Sequence, residues 1–132
     1  MNNEKAQDLR VRTKEFALRI IRLYVSLPKN TQAQVLGKQV LRSGTSVGAH
    51  YREGQRAKSD ADFINKMESG LQELDETAYW LELLAESGVF PANRLESLRK
   101  EADELTAIFV TIVTKVKERI NKAKQKTKID KG

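Results

Sequence analysis

An all-α, antiparallel up-down-up-down four-helix bundle is the fold this sequence predicts, on three observations. Its 132 residues include only two prolines and seven glycines among abundant Leu, Ala, Glu, Lys and Arg, a composition that favours helix over sheet. Apolar residues recur at alternating spacings of three and four, which places them on one face of a helix. Residues that cap helices, and the Pro and Gly that end them, fall between these runs. The chain is the length of one domain that can bury a shared core without metals or cross-links.

The first helix is expected over 8–27. Leu9, Phe16, Ile20, Leu23 and Leu27 share a seam interrupted only by Thr13, with Ile21 and Tyr24 widening the stripe and Pro28 following the helix. The second, over 32–57, opens at Thr31-Gln32-Ala33-Gln34, a capping side chain three residues before a Gln. Its seam would be Leu36, Val40, Ser43, Val47, His50 and Gly54. In its middle, Ser43-Gly44-Thr45-Ser46-Val47-Gly48-Ala49 gathers poor helix formers, so either the helix breaks there or packing holds it. Gly44 and Gly48 stand four apart, and an unbroken helix would offer a smooth strip to another backbone, which favours close packing.

The third helix, over 60–87, carries Ile64, Met67, Leu71, Leu74, Ala78, Leu81 and Ala85 in strict alternation. Ser59-Asp60-Ala61-Asp62 is a weaker capping sequence at its start, and Gly88, Val89 and Pro91 end it. The fourth, over 94–124, opens at Asn93-Arg94-Leu95-Glu96 and carries Leu95, Leu98, Ala102, Leu105, Phe109, Ile112 and Val116. Bundle residues 1–124 would then be followed by a basic flexible tail at 125–132. Short connections make sequential helices antiparallel.

Catalytic chemistry finds little to work with. There is no cysteine, hence no disulfide, thiolate metal site or cysteine nucleophile, which suits a reducing cytosol. His50 is the only histidine, which excludes a paired-histidine metal site. The bundle di-metal pattern needs Glu-x-x-His on two helices, whereas His50 and Glu53 run the opposite way and occur once. No phosphate loop or dinucleotide glycine pattern is present. No cofactor is expected. The N-terminus has no apolar leader, and no stretch approaches the roughly 20 apolar residues of a membrane span, so a soluble cytoplasmic protein is expected.

Charge is distributed unevenly. The net +6 equals the excess carried by residues 115–132 alone, while 1–57 hold 11 basic and 4 acidic groups and 58–114 hold 5 and 12. On the second helix Lys38, Arg42, Arg52 and Arg56 form one row through Thr45 and Ala49, beginning about 200° around the helix from Leu36 and so facing away from the core. Arg12, Arg19 and Arg22 make a companion row on the first helix, with Glu15 interrupting it. Lys122, Lys124, Lys126, Lys128 and Lys131 crowd the tail. Ordinary solvated charge and phosphate binding are both open readings of these rows. The aromatic residues lie on or beside seams, which suits core packing better than base stacking. Phe63, Tyr79, Trp80 and Leu84 make the third helix apolar on more than one side, and a subunit interface accounts for that surplus.

The run Leu41-Arg42-Ser43-Gly44-Thr45-Ser46-Val47-Gly48-Ala49, with Glu53-Gly54-Gln55-Arg56-Ala57, Ser59, Ala61-Asp62-Phe63, Glu76-Thr77 and Tyr79-Trp80-Leu81, resembles a bacterial four-helix-bundle family. That family includes proteins encoded within intervening sequences of large-subunit ribosomal RNA genes and the accessory variability proteins of diversity-generating retroelements. The resemblance implies an antiparallel protomer assembling as a homopentamer without enzyme activity. In the retroelement branch it implies binding of RNA or DNA through basic surface and association with a reverse transcriptase. In the ribosomal branch the rival expectation is a protein-interaction scaffold whose basic half pairs with the acidic half of the next subunit, without direct nucleic-acid binding. One departure is that similar proteins commonly carry Asn-Ile-Ala where this chain has His50-Tyr51-Arg52, which would favour an anion-binding variant.

Overall fold

The structure, a computed structural model, describes the backbone of residues 3–131 and the side chains of 8–130. Four helices follow in chain order, α1 (Asn3–Ser26), α2 (Thr31–Gln55), α3 (Asp60–Glu86) and α4 (Ala92–Lys131), with no strand among the described residues. Short turns fold each helix back along the last. α2 and α3 pack most closely, α1 leans on α2, α4 leans on α3, and α1 and α4 touch sparsely.

Capping fixes the ends and moves several from their expected places. Asn30, one residue before Thr31, is the α2 cap and accepts from the Ala33 N–H at 2.9 Å. Ser59 caps α3 by accepting from the Asp62 N–H at 3.0 Å. Gly88 takes φ +75° just past α3, a left-handed turn that residues with a Cβ resist. α4 begins at Ala92, directly after Pro91, so Asn93 lies inside the first turn instead of capping it. α1 begins at Asn3, ahead of the expected residue 8.

The largest departure is at the other end. α4 runs on through the stretch expected as a flexible tail, giving a 40-residue helix beside neighbours of 24 to 27. No Gly or Pro interrupts it, and the Lys, Ala and Gln of its last turns propagate helix well. The side chain of Lys131, and Gly132, Met1 and Asn2, lie outside the described residues.

α2 is continuous through its weak middle, and the reason is steric. A Cβ on Gly44 would meet Ile20 Cγ1 at 2.7 Å, and one on Gly48 would meet Thr13 Oγ1 at 3.1 Å. Backbone therefore lies directly against α1, and burial offsets the poor local propensity. The wide buried arc of α2 also rearranges its seam: Ala33, Gly37, Val40, Ser43, Gly44, Val47, Gly48, Tyr51 and Gly54 are buried, so Tyr51 takes the core position expected of His50. α3 buries Gly70, which lies against Phe109 of α4, and Thr77 and Leu84 beside Met67, Leu74 and Leu81, while Ile64, Leu71, Ala78 and Ala85 are half-buried. Thr77 Oγ1 donates to Ser43 Oγ at 2.8 Å, which satisfies both hydroxyls inside the α2–α3 contact. In α4 the seam holds from Leu95 to Phe109 and ends on Val113, with Ile112 and Val116 half-buried.

Candidate nucleic-acid interface

Two of the expected phosphate ligands are already engaged. Arg12 grips Glu101 with two bonds, Nη2 to Oε1 at 2.6 Å and Nε to Oε2 at 3.2 Å, and reaches Glu104 Oε2 at 3.1 Å. Arg42 spans Glu73 and Glu76 of α3, each at 3.2 Å. Both guanidinium groups are held above their ordinary range, by the hydrogen bond to Glu101 foremost in one case and to Glu76 in the other. The basic front half and the acidic back half thus meet within one protomer at these places. Such fork-like pairs occupy the N–H donors that a phosphate would otherwise take.

Other cations have no carboxylate. Lys38, Arg52 and Arg56 are exposed along α2 with no ion pair among the described residues. Past them, Arg119 Nη2 bonds Asp60 Oδ1 at 2.7 Å and Lys117 Nζ bonds Glu68 Oε1 at 2.9 Å, which places the exit of α4 beside the start of α3. Since α2 ends where α3 begins, Arg52 and Arg56 stand at this same end. About 18 Å of α4 projects beyond it, every residue from 121 to 130 is exposed, and Lys122, Lys124, Lys126 and Lys128 have no ion pair among the described residues. Spacings of 4, 3 and 4 set Lys115, Arg119, Lys122 and Lys126 on one flank. Lys117, Lys124 and Lys128 occupy the other.

The His50-Tyr51-Arg52 departure does not create an anion site as a unit. His50 Nδ1 lies 3.1 Å from Glu53 Oε1, and the same carboxylate takes Lys66 Nζ at 3.2 Å. Lys66 above all, and then His50, keep Glu53 below its usual pKa. Tyr51 is fully buried with its ring 5.9 Å from that of Phe109, and burial pushes its hydroxyl up to about 12. Arg52 alone of the three stands in open solvent.

The four residues expected at a subunit contact do not share a face. Leu84 is core, Phe63 is half-buried under Gly54, and Trp80 is half-buried with its indole N–H enclosed and without a partner among the described residues. Tyr79 alone is largely exposed, at 53%, its ring 5.1 Å from that of Trp80. Their spacing along α3 alone spreads them around the helix, and the core covers only one side of it. The larger exposed apolar stripe lies on α1, where Val11, Leu18, Ile21 and Val25 are 37% to 69% exposed opposite the core seam. Its sequence signal was the seven-residue spacing of Val11, Leu18 and Val25, masked by the stronger core seam on the same helix.

One groove was not foreseen. At the α1–α4 contact, Arg19, Arg22, Ser26 and Arg94 surround about 280 Å³ floored by Leu23, Phe90, Leu95 and Leu98. Arg19 Nη2 donates to Ser97 Oγ at 2.9 Å, and Arg94 lies over the Phe90 ring at 4.7 Å. Arg94 follows Asn93 in what read as a capping sequence, so nothing in its local pattern tied it to the arginines of α1.

Among the described residues no cluster of His, Cys, Asp or Glu is arranged to hold a metal ion, and no helix is long and apolar enough to cross a membrane.

No functionally curated protein matches the chain. It is similar to a crystallised protein of unknown function from the S23 ribosomal protein family of Bacteroides thetaiotaomicron, at 40% identity and a TM-score of 0.78, over 83% of this chain and 98% of that one. The sequence profile described as "23S rRNA-intervening sequence protein" matches residues 6–111, and neither description names a catalytic activity. With most of its length matched and the four-helix fold shared, the chain belongs to the 23S rRNA-intervening sequence protein family.

Proposed function

We propose that the protein is a non-enzymatic accessory bundle that assembles with copies of itself, as a homopentamer, and holds nucleic acid through its phosphates, alone or together with a nucleic-acid enzyme such as a retroelement reverse transcriptase. The observation that carries this reading is the end of the bundle where Arg52, Arg56 and the unpaired lysines of the α4 projection gather, with no carboxylate between Glu118 and Asp130. Unpaired cations there release counterions when they meet phosphate, and such binding weakens linearly in log–log form as salt rises. The apolar stripe of α1 supplies the surface for sister copies.

The test is a salt titration of a fluorescent RNA hairpin and its DNA counterpart. The parent should bind with a steep slope. Replacing Arg52, Arg56, Lys122, Lys124 and Lys126 with Gln should flatten the slope by several units and weaken binding at least tenfold. Equal affinity in parent and variant would sink the reading.

A second reading, a protein scaffold without nucleic acid, is favoured by one observation. Asp75 and Glu82, seven residues apart on α3, and Glu86 are exposed carboxylates without an ion pair among the described residues, and they offer a docking row for the α2 cations of a neighbouring subunit. In that case raising salt should dissociate the assembly in sedimentation, and the parent should bind neither nucleic acid.

A further inference from the structure

The α1–α4 contact changes character along its length. In its middle Arg12 is neutralised by Glu101 and Glu104. Toward the start of α4, Arg19, Arg22 and Arg94 face one shared groove, and no carboxylate lines it. Arg22 and Arg94 are exposed and Arg19 is half-buried, and none of the three has an ion pair among the described residues. Arg19 and Arg94 are nevertheless held in place, one by Ser97 and the other by the face of Phe90. Preoriented, uncompensated arginines are the arrangement that receives a tetrahedral oxyanion, because each planar fork can supply two parallel N–H donors.

From this we infer that Arg19, Arg22 and Arg94 form a binding site for a single phosphate group. The chemistry selects phosphate over a carboxylate ligand, because three arginines brought to one groove from two helices match an anion with several oxygens and up to two charges. The volume, about 280 Å³, lies just below that of pockets for drug-sized ligands and suits one phosphate with a short attachment. The groove also opens at the first turn of α4, where the helix dipole adds to the positive field of the arginines. Ser26 lines the rim, and its hydroxyl donates to the Arg22 carbonyl at 2.9 Å. Two sources share this chemistry, free inorganic phosphate and the terminal phosphate of a nucleic-acid strand. As a subsite for a strand end the inference rests on the proposed function; as a phosphate site it stands apart from it.

The experiment uses the full chain and two probes. Inorganic phosphate is titrated calorimetrically at fixed ionic strength, with thermal midpoints compared in phosphate and chloride. A short single-stranded RNA is then measured with and without a 5′-phosphate. The parent should bind phosphate saturably, one per chain, with a raised midpoint. Arg22→Gln and Arg94→Gln should each weaken it about tenfold, the scale of one charge-assisted hydrogen bond. Arg94→Lys should recover only part, since it keeps the charge and loses the fork. Arg42→Gln, which alters a cation on the far side of the bundle, should leave phosphate binding unchanged. A tenfold preference for the phosphorylated RNA, abolished by Arg94→Gln, supports the site and assigns the strand end as its ligand. Saturable phosphate with no such preference supports the site and assigns the free ion. Phosphate binding with no RNA binding at all removes the nucleic-acid reading and leaves the site standing. No saturable phosphate binding in the parent, or equal binding by the parent and the two Gln variants, overturns the inference.

Discussion

Against α2, α1 lays Thr13, Ile20 and Leu27 onto Gly48, Gly44 and Gly37, whereas against α4 it extends Arg12, Arg19 and Arg22 toward Glu101, Ser97 and the Arg94 groove. In the first contact backbone meets side chain with no room for one more methyl group. In the second, long charged side chains bridge a wider separation, and part of the space between them stays open. The bundle is rigid along the first contact and open to a ligand along the second. A close-packed seam has a single arrangement, because displacing it opens a void or forces a clash. The stretch of the second seam at Arg19, Arg22 and Arg94 can accept an anion without displacing a carboxylate, because none lines the groove there.

The comparison breaks most sharply at Gly44. Placing Val there drives a branched side chain into Ile20, and we expect a loss of about 3 kcal/mol, read from the urea midpoint at unchanged m-value. A loss below about 1 kcal/mol would mean that the two helices part easily and that the seam is not close-packed.

The foot of the same seam should titrate. Burial holds the Tyr51 hydroxyl near 12 in the folded protein, against about 10 when unfolded, so the folded state binds this proton more tightly. Its contribution is fully present below pH 10 and is lost as pH rises from 10 to 12. That amounts to about 2 to 3 kcal/mol across the window. Stability curves measured on the alkaline side should show this fall in the parent and a shallower one in Tyr51→Phe. Parallel curves would show that the hydroxyl reaches water.

On the α4 side the effects should shrink. Arg12→Met keeps an apolar stem and removes the fork to Glu101 and Glu104, and we expect a loss of about 1 kcal/mol that largely disappears in high salt. A salt-independent loss of several kcal/mol would make this seam as structural as the other.

The smallest change concerns the projection. Ending the chain after Ile120 removes described residues that are all exposed, 121–130, so stability should move by less than about 0.5 kcal/mol while affinity for nucleic acid falls. An appreciable drop in stability would mean that the last turns of α4 pack against something.

Much of this architecture was readable in the residues, and the misreadings are consistent in kind. The α4 seam from Leu95 to Phe109 emerged directly, because that helix buries one narrow stripe and spacing of three and four reports a narrow stripe faithfully. α2 and α3 bury broad arcs against two neighbours each. There the same rule chose His50 over Tyr51 and left Leu84 on the outside, since periodicity fixes relative angle around a helix and not the direction in which the core lies. Among the candidate ligands, sequence identified the basic rows of α1 and α2 but could not know that Arg12 and Arg42 would be taken by Glu101, Glu104, Glu73 and Glu76, residues far away along the chain. Arg94 was missed for the same reason.

Taken alone, the sequence determined the number of helices, their order, the short reversals between them and the place where two glycines would be needed, because each of these is set by residues within a few positions of one another. Tertiary structure decided which face of each helix is inside, which cations remain unpaired and where three arginines converge. Those outcomes depend on the rotation of one packed helix against the next, and no local pattern in the chain encodes that angle.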